Sequence, residues 1–137
     1  MVKKTMAPSS PATEPVVLTL EYPALPPREW SPNYTGPWQR RYQVGLDVKN
    51  DVMVLLLQQG WHMEPLKHAK VHFKFGLPDK RRRDMDNLIS ASKPLLDILI
   101  GRVIQDDRIG AVEVQYSWFD SPKKACTIIE VSDAPST

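Results

Sequence analysis

Two segments of the chain alternate between apolar and polar residues, and this period of two predicts β-strands. The first is 15–22, PVVLTLEY, which is rich in β-branched residues. The second is 67–75, KHAKVHFKF, in which every second residue is apolar. One face of this second strand is predicted to join the core and carries Ala69, Val71, Phe73 and Phe75. The other face is predicted to be hydrated and carries His68, Lys70, His72 and Lys74.

Longer intervals between apolar residues predict two helices. The first covers 38–59 and ends at Gly60. The second covers about 86–100 and is capped by Gly101. Pro94 lies inside the second helix, where it removes a backbone hydrogen bond. The sequence leaves open whether the helix bends at Pro94 or a new helix begins there.

The helical period divides this second segment into two stripes. The apolar stripe predicts a core face and consists of Leu88, Ala91, Leu95 and Leu99. The polar stripe consists of Asp86, Ser90, Lys93 and Asp97.

Two further strands are predicted near the C-terminus. Segments 111–119, AVEVQYSWF, and 125–131, ACTIIEV, are joined by DSPKK, whose turn residues predict a hairpin. The order β-α-β-α-β-β predicts an α/β (α+β) fold, a single domain with one mixed sheet and helices packed on it. We place this domain at 16–131, between a disordered tail at 1–15 and a short tail at 132–137.

Composition agrees with a single globular domain and excludes several classes of protein. The chain has 137 residues, of which 42% are hydrophobic and 25% charged, enough for a modest core. Cys126 is the only cysteine, so neither an internal disulfide nor a cysteine-type zinc site can form. No segment approaches the roughly 20 apolar residues of a membrane span, and the first residues lack the apolar core of a signal peptide. We therefore expect no membrane partner and a reducing, cytoplasmic compartment.

Charge is distributed unevenly although the net charge is only +2. Residues 67–83 include seven cations and one acid, whereas residues 84–107 include five aspartates and two cations. The boundary falls within KRRRDMDNL (80–88), where four cations are followed at once by Asp84 and Asp86. A basic run of this kind attracts polyanions.

The aspartates have two interpretations. An aspartate just before an apolar helical run is the usual N-cap, which accounts for Asp86 alone. Helix capping does not account for Asp84. Two carboxylates that are separated by one residue repel each other unless a cation lies between them or one is protonated. Asp106 and Asp107 follow the second helix. Carboxylate oxygens suit Mg²⁺, which also binds water and substrate phosphate. Lys93 is either a solvated lysine or a phosphate-binding group, and the stripe that it shares with Asp86 favours the second interpretation.

These residues resemble the pattern of the RusA family of Holliday junction resolvases. That pattern is a basic run, D-x-D-N-L, a helix with K-x-x-x-D-x-L, and a D-D pair. The corresponding segments here are 80–83, 84–88, 93–99 and 106–107. LPPREWSPN (25–33), leading into Arg40 and Arg41, resembles the proline-rich loop and basic helix start of the family. The resemblance extends over residues 16–131 and includes the order of the elements.

The resemblance implies a metal-dependent endonuclease that resolves four-way DNA junctions in recombination and repair. It implies that Asp84, Asp86 and Asp107 bind Mg²⁺, with Mn²⁺ as the alternative ion, supported by Asp106 and Asp97. It also implies that Lys93 assists catalysis, although the gap from Asn87 is longer than in the shortest family pattern, where Ser90 lies nearer the lysine position. The expected DNA contacts are Lys80, Arg81, Arg82, Arg83, Arg40 and Arg41.

A four-way junction must be cut on two strands related by approximate two-fold symmetry, so one site per chain predicts a homodimer. We expect a bacterial or phage-encoded protein of the cytoplasm, associated with the nucleoid. Two other functions stay open: a non-catalytic DNA-binding relative, and a Mg²⁺ phosphohydrolase of a small phosphate ester. D-x-D also occurs in the latter class, but it usually follows an apolar strand there, and here a basic loop precedes it.

Overall fold

A mixed β-sheet forms one layer of the fold. The protein is described by a computed structural model that covers residues 3–4, 16–80, 83–106 and 111–134. The strands are β1 (Lys3–Lys4), β2 (Val16–Tyr22), β3 (Ala69–Leu77), β4 (Val112–Asp120) and β5 (Cys126–Asp133). Their order in the sheet is β1-β4-β3-β5-β2, so four long strands are extended by a two-residue fifth. The predicted order of long strands and helices, and the single mixed-sheet domain, are confirmed.

Strand β3 lies at the centre of the sheet and of the core. It runs parallel to β4 on one side and antiparallel to β5 on the other. Val71, Phe73 and Phe75 are completely buried, and Ala69 is nearly so. The face predicted from the alternating pattern is therefore the core face, because residues two apart on a strand project to the same side.

The hairpin predicted between the last two strands is wrong. β4 and β5 each pair with β3 and not with each other. Turn chemistry at 120–125 identifies the chain reversal, in which the hydroxyl of Ser121 donates to the carbonyl of Lys124 at 2.5 Å. It does not decide whether the flanking strands pair. Two strands on either side of a third are roughly 10 Å apart, a gap that this connection spans.

Helix α1 (Trp38–Gln58) covers the core face of the sheet. Its buried residues recur every fourth position: Val44, Val48, Val52 and Leu56. The helix begins after Pro37 and its C-cap is Gln59, followed by Gly60 at φ 68°, which agrees with the predicted span. A 3-10 helix, Arg28–Trp30, lies against α1 and also contacts the helical segment that follows β3.

The segment predicted as one second helix is two short helices, α2 (Met85–Ala91) and α3 (Lys93–Leu99). Ser92 joins them in a right-handed helical conformation, and its hydroxyl donates to the carbonyl of Ile89 at 2.6 Å. Pro94 lies in the first turn of α3, where its missing N–H leaves no donor unpaired. Of the two alternatives for Pro94, the start of a new helix is the correct one.

Strands extend into both segments that the sequence predicts as tails. Lys3–Lys4 pairs with β4 within the segment 1–15, whose other residues lie outside the described part of the chain. At the other end, β5 continues through Asp133. In the described residues, no helix combines the length and the apolar content needed to cross a membrane.

Gly76 on β3 provides a test of packing on the sheet face away from the helices. A Cβ at Gly76 would lie 2.6 Å from Sγ of Cys126 and 2.9 Å from Cζ of Phe119. We expect Gly76→Ala to lower the free energy of unfolding by about 1–3 kcal/mol, because overpacking forces neighbours to move. Urea denaturation measures this change.

The matched control adds Cys126→Ala, which removes the sulfur nearest to the new methyl group. The double variant is expected to lose less stability than the sum of the two single variants. Strict additivity would mean that the two side chains do not clash.

Candidate functional site

Asp84 and Asp86 lie together at the N-terminus of α2, and Asp84 is the N-cap. The backbone of Asp84 is extended, at φ −90° and ψ 117°, and its Oδ1 accepts a hydrogen bond from the N–H of Asp86 at 2.9 Å. The expectation that Asp86 caps the helix is therefore wrong by two residues. The physical reason is that an aspartate carboxylate readily reaches the N–H two residues further on. Both aspartates are exposed.

The helix terminus also explains how two carboxylates can lie so close. Free N–H groups and the positive end of the helix dipole favour negative charge in the first turn, where Asp86 lies. The repulsion expected between Asp84 and Asp86 is thus offset by the helix itself. The pair is compatible with a bound cation but does not require one.

Mg²⁺ suits the two carboxylates that the structure describes here. This ion binds one or two carboxylates and fills its remaining positions with water and phosphate oxygens. Asp84 uses one oxygen to cap the helix, which leaves its second oxygen for another ligand. Among the described residues, no group of three His, Cys, Asp or Glu side chains could hold a metal ion. Asp106 is partly buried after α3, and the predicted ligand Asp107 lies outside the described residues.

Lys93 begins α3 and is largely exposed. Its ammonium lies 3.2 Å from Oδ1 of Asp97, one turn further along the helix. An exposed pair of this kind contributes little to stability, so it positions the lysine more than it stabilises the fold. The polar stripe predicted that Asp86 and Lys93 share one continuous helix. The break at Ser92 places them on two helices instead.

A cavity nevertheless joins α2 to Lys93. We call it the Trp30 cavity; it has a volume of about 480 Å³ and opens between the 3-10 helix and helices α1, α2 and α3. Its lining includes Trp30, Arg41, Ile89, Ser90, Lys93 and Tyr116. Ser90 is one turn, or roughly 6 Å along the axis, from Asp86. The polar residues Ser90 and Lys93 therefore face the same space despite the helix break.

The predicted DNA contacts Arg40 and Arg41 have different surroundings. Nε of Arg40 lies 3.4 Å from a carboxylate oxygen of Glu29. The guanidinium of Arg41 lies 4.5 Å from the centre of the Trp30 ring, a cation–π contact. The indole reaches α1 at Gly45, where a Cβ would come within 3.0 Å of the ring. Its buried N–H has no acceptor among the described residues, so packing and Arg41 hold the ring.

Three cations of the basic segment 67–83 are paired with acids in the described part of the fold. Arg83 lies 2.8 Å from Asp79, and only 12% of its side chain is exposed. Lys74 contacts Glu130 at 3.0 Å and Lys70 contacts Glu113 at 3.8 Å. Lys80 is exposed, whereas Arg81 and Arg82 lie outside the described residues. The sheet face expected to be hydrated therefore carries paired charges.

His72 lies between these pairs on the open sheet face. Its Nε2 is 2.7 Å from the hydroxyl oxygen of Ser117 on β4. Partial burial lowers the pKa of His72, and Lys74 and Lys70 lower it further, while Glu130 opposes them. The imidazole is therefore neutral at pH 7 and suits a structural hydrogen bond.

Ile89, Leu96 and Tyr116 of the cavity were not identified as site residues from the sequence. Ile89 and Leu96 are apolar residues outside the predicted core stripe. Their position off that stripe is the feature of the sequence that could have indicated a second apolar surface. Tyr116 is buried, and its pKa is raised by this burial, with the Ser92 side chain as a hydrogen-bond partner that opposes the shift.

Neither a scan of protein-family models nor a search of curated proteins finds a match to this chain.

The capping role of Asp84 predicts different effects for two substitutions. Asp84→Ala is expected to lower the free energy of unfolding by about 0.5–2 kcal/mol, because the N–H of Asp86 loses its acceptor. Asp84→Asn keeps an acceptor oxygen and is expected to change stability by only a few tenths of a kcal/mol. Urea denaturation of both variants, with Asp51→Ala as a surface control, measures the difference. Equal losses for Ala and Asn would show that charge, and not the cap, is responsible.

His72 predicts a pH dependence of stability. The unfolded chain has the ordinary histidine pKa of about 6.5, and the folded pKa is lower. As the pH is lowered through 6.5, the unfolded state therefore binds more protons than the folded state. The free energy of unfolding decreases as the pH falls, until the pH is below the folded pKa. His72→Gln should remove this part of the pH dependence, whereas His62→Gln, at an exposed loop position, serves as the control. An unchanged pH profile in His72→Gln would contradict the assignment.

Proposed function

We propose that this protein is a Mg²⁺-dependent endonuclease that cuts branched DNA, with four-way junctions as its substrate. The observation that carries the proposal is the surface around α2. Exposed Asp84 and Asp86 lie at one end of this helix, and the Trp30 cavity with Arg41 and Lys93 begins one turn away. Carboxylates that suit a metal ion therefore lie beside cations that suit phosphate. The RusA-like pattern of the sequence supports the same function.

Each residue of this surface has a chemical task in the proposal. Asp84 and Asp86 hold Mg²⁺, with Asp107 as the third ligand that the family resemblance implies. When bound, Mg²⁺ supplies a Lewis acid that activates water and stabilises negative charge on the phosphodiester. Lys93, positioned by Asp97, contacts the scissile phosphate. Arg41 and Lys80 attract the DNA backbone, so affinity falls with salt.

A homodimer is part of the proposal. Resolution needs two cuts on strands related by approximate two-fold symmetry, and each chain offers one acidic pair at α2. A two-fold dimer would bring two such surfaces to one junction. Two chains would also double the local positive charge, which is modest in one chain of net charge +2.

The test uses a supercoiled plasmid that extrudes a cruciform, incubated with the protein and either Mg²⁺ or EDTA. Paired cuts within one binding event give linear plasmid directly, and EDTA should abolish them. Asp84→Asn is the decisive variant because it keeps the helix cap but removes a charge. We expect it to bind junction DNA at least as well as the wild type and not to cut it. Asp51→Asn, on the exposed side of α1, should cut normally.

The other outcomes separate the alternatives. Junction binding without cleavage by the wild type would favour a non-catalytic DNA-binding protein. Hydrolysis of p-nitrophenyl phosphate without DNA binding would favour a phosphohydrolase of small esters. Equal cutting of linear duplex and junction would contradict structure selectivity, and nicked circles that accumulate before linear product would contradict the dimer.

A further inference from the structure

The Trp30 cavity has the size and the walls of a ligand-binding pocket. Its volume of about 480 Å³ falls within the range of about 300–1,000 Å³ that such pockets occupy. Trp30, Ile89 and Leu96 give it apolar walls. The ring of Tyr116 also lines it, and this ring stacks on Phe73 at 5.6 Å and on Phe75 at 6.2 Å. The cavity thus lies against the aromatic residues of the buried core.

Cations supply the charge of the cavity. Arg41 and Lys93 both line it, and none of the described lining residues is acidic. The ammonium of Lys93 also contacts Asp97 at 3.2 Å, a carboxylate outside the lining. Within the described part of the chain, Arg41 has no carboxylate at ion-pair distance, and its guanidinium lies over the Trp30 ring, 4.5 Å from the ring centre. Guanidinium planes and aromatic rings are the two surfaces on which unpaired bases stack. A ligand with a flat apolar ring and a negative charge fits this combination.

We propose that the Trp30 cavity binds one unstacked nucleotide of a branched DNA strand, an inference that rests on the proposed endonuclease function. The base lies against the apolar walls and the Arg41 guanidinium, and its phosphate lies between Arg41 and Lys93. Unstacking a base from an intact duplex is costly, but nucleotides at a branch point are already less constrained. The cavity would therefore select branched DNA over duplex without reading a sequence. It would also place the strand within one helical turn of Asp86.

The test combines a filled cavity with a missing base. Ser90 lines the cavity and is exposed, so Ser90→Phe fills the space without removing a cation. Asn50→Phe, at an exposed position of α1, adds the same ring outside the cavity. Each protein is titrated in EDTA with a four-way junction and with junctions that carry one abasic nucleotide at a position next to the branch.

We expect the wild type to bind the intact junction roughly tenfold more tightly than at least one abasic junction, as loss of one stacked base implies. Ser90→Phe should bind both junctions equally, with the affinity that the wild type has for the abasic one. Asn50→Phe should retain the difference. If thermal unfolding shows that Ser90→Phe is not folded, the measurement is repeated with Ser90→Leu, whose smaller side chain also fills the cavity in part.

Three results would overturn the inference and are distinguishable. A wild type that does not bind junction DNA would reject the proposed function as well. Junction binding that is insensitive to base removal, or equally sensitive in Ser90→Phe, would reject only the nucleotide cavity. Binding of a free deoxynucleoside monophosphate that Ser90→Phe abolishes, while junction binding stays unchanged, would assign the cavity to a free nucleotide.

Discussion

Burial of strand β3 is the constraint on which the rest of the structure depends. Val71, Phe73 and Phe75 expose no surface, and burying three such side chains stabilises the fold by several kcal/mol. A strand buried in this way needs hydrogen-bonding neighbours on both edges, because unpaired backbone groups in a core are costly. β4 and β5 fill these edges, which separates them from each other in spite of their short connection. Because β4 runs parallel to β3, the chain between them must return along one face of the sheet. This crossover connection contains α2 and α3.

The candidate site follows from the way in which this crossing is built. Asp84 caps α2 as the chain leaves the loop after β3, and the acidic pair is therefore fixed at a helix terminus. Pro94 then prevents a continuous helix and starts α3 after Ser92. Ser90 and Lys93, at the adjoining ends of the two helices, line one cavity with Trp30 and Arg41. Local backbone chemistry thus positions each group, while the core beneath Tyr116 supports the cavity.

Electrostatics in the folded chain differ from the impression given by the linear sequence. The cations of β3 contact acids that lie about 40 to 60 residues further along the chain, as in the contacts of Lys70 with Glu113 and Lys74 with Glu130. These pairs are partly buried, and they lower the positive potential of the sheet face. The surface near α2 gains importance for the same reason, because the partner of Arg41 among the described residues is an aromatic ring.

Sequence patterns were enough to predict the four long strands, the first helix, their order and the core face of β3, because the periods of two and 3.6 residues are local consequences of backbone geometry. They left open whether the segment around Pro94 is one helix or two. The sequence also located the acidic pair at the start of a helix, since capping depends on neighbouring residues. It could not decide whether the last two strands pair, because that choice depends on how a distant strand is buried. Nor could it show that Lys70 and Lys74 pair with Glu113 and Glu130, or that Trp30 and Arg41 meet Ser90 and Lys93 around one cavity. Those contacts join residues far apart in the chain, and only the tertiary structure brings them together.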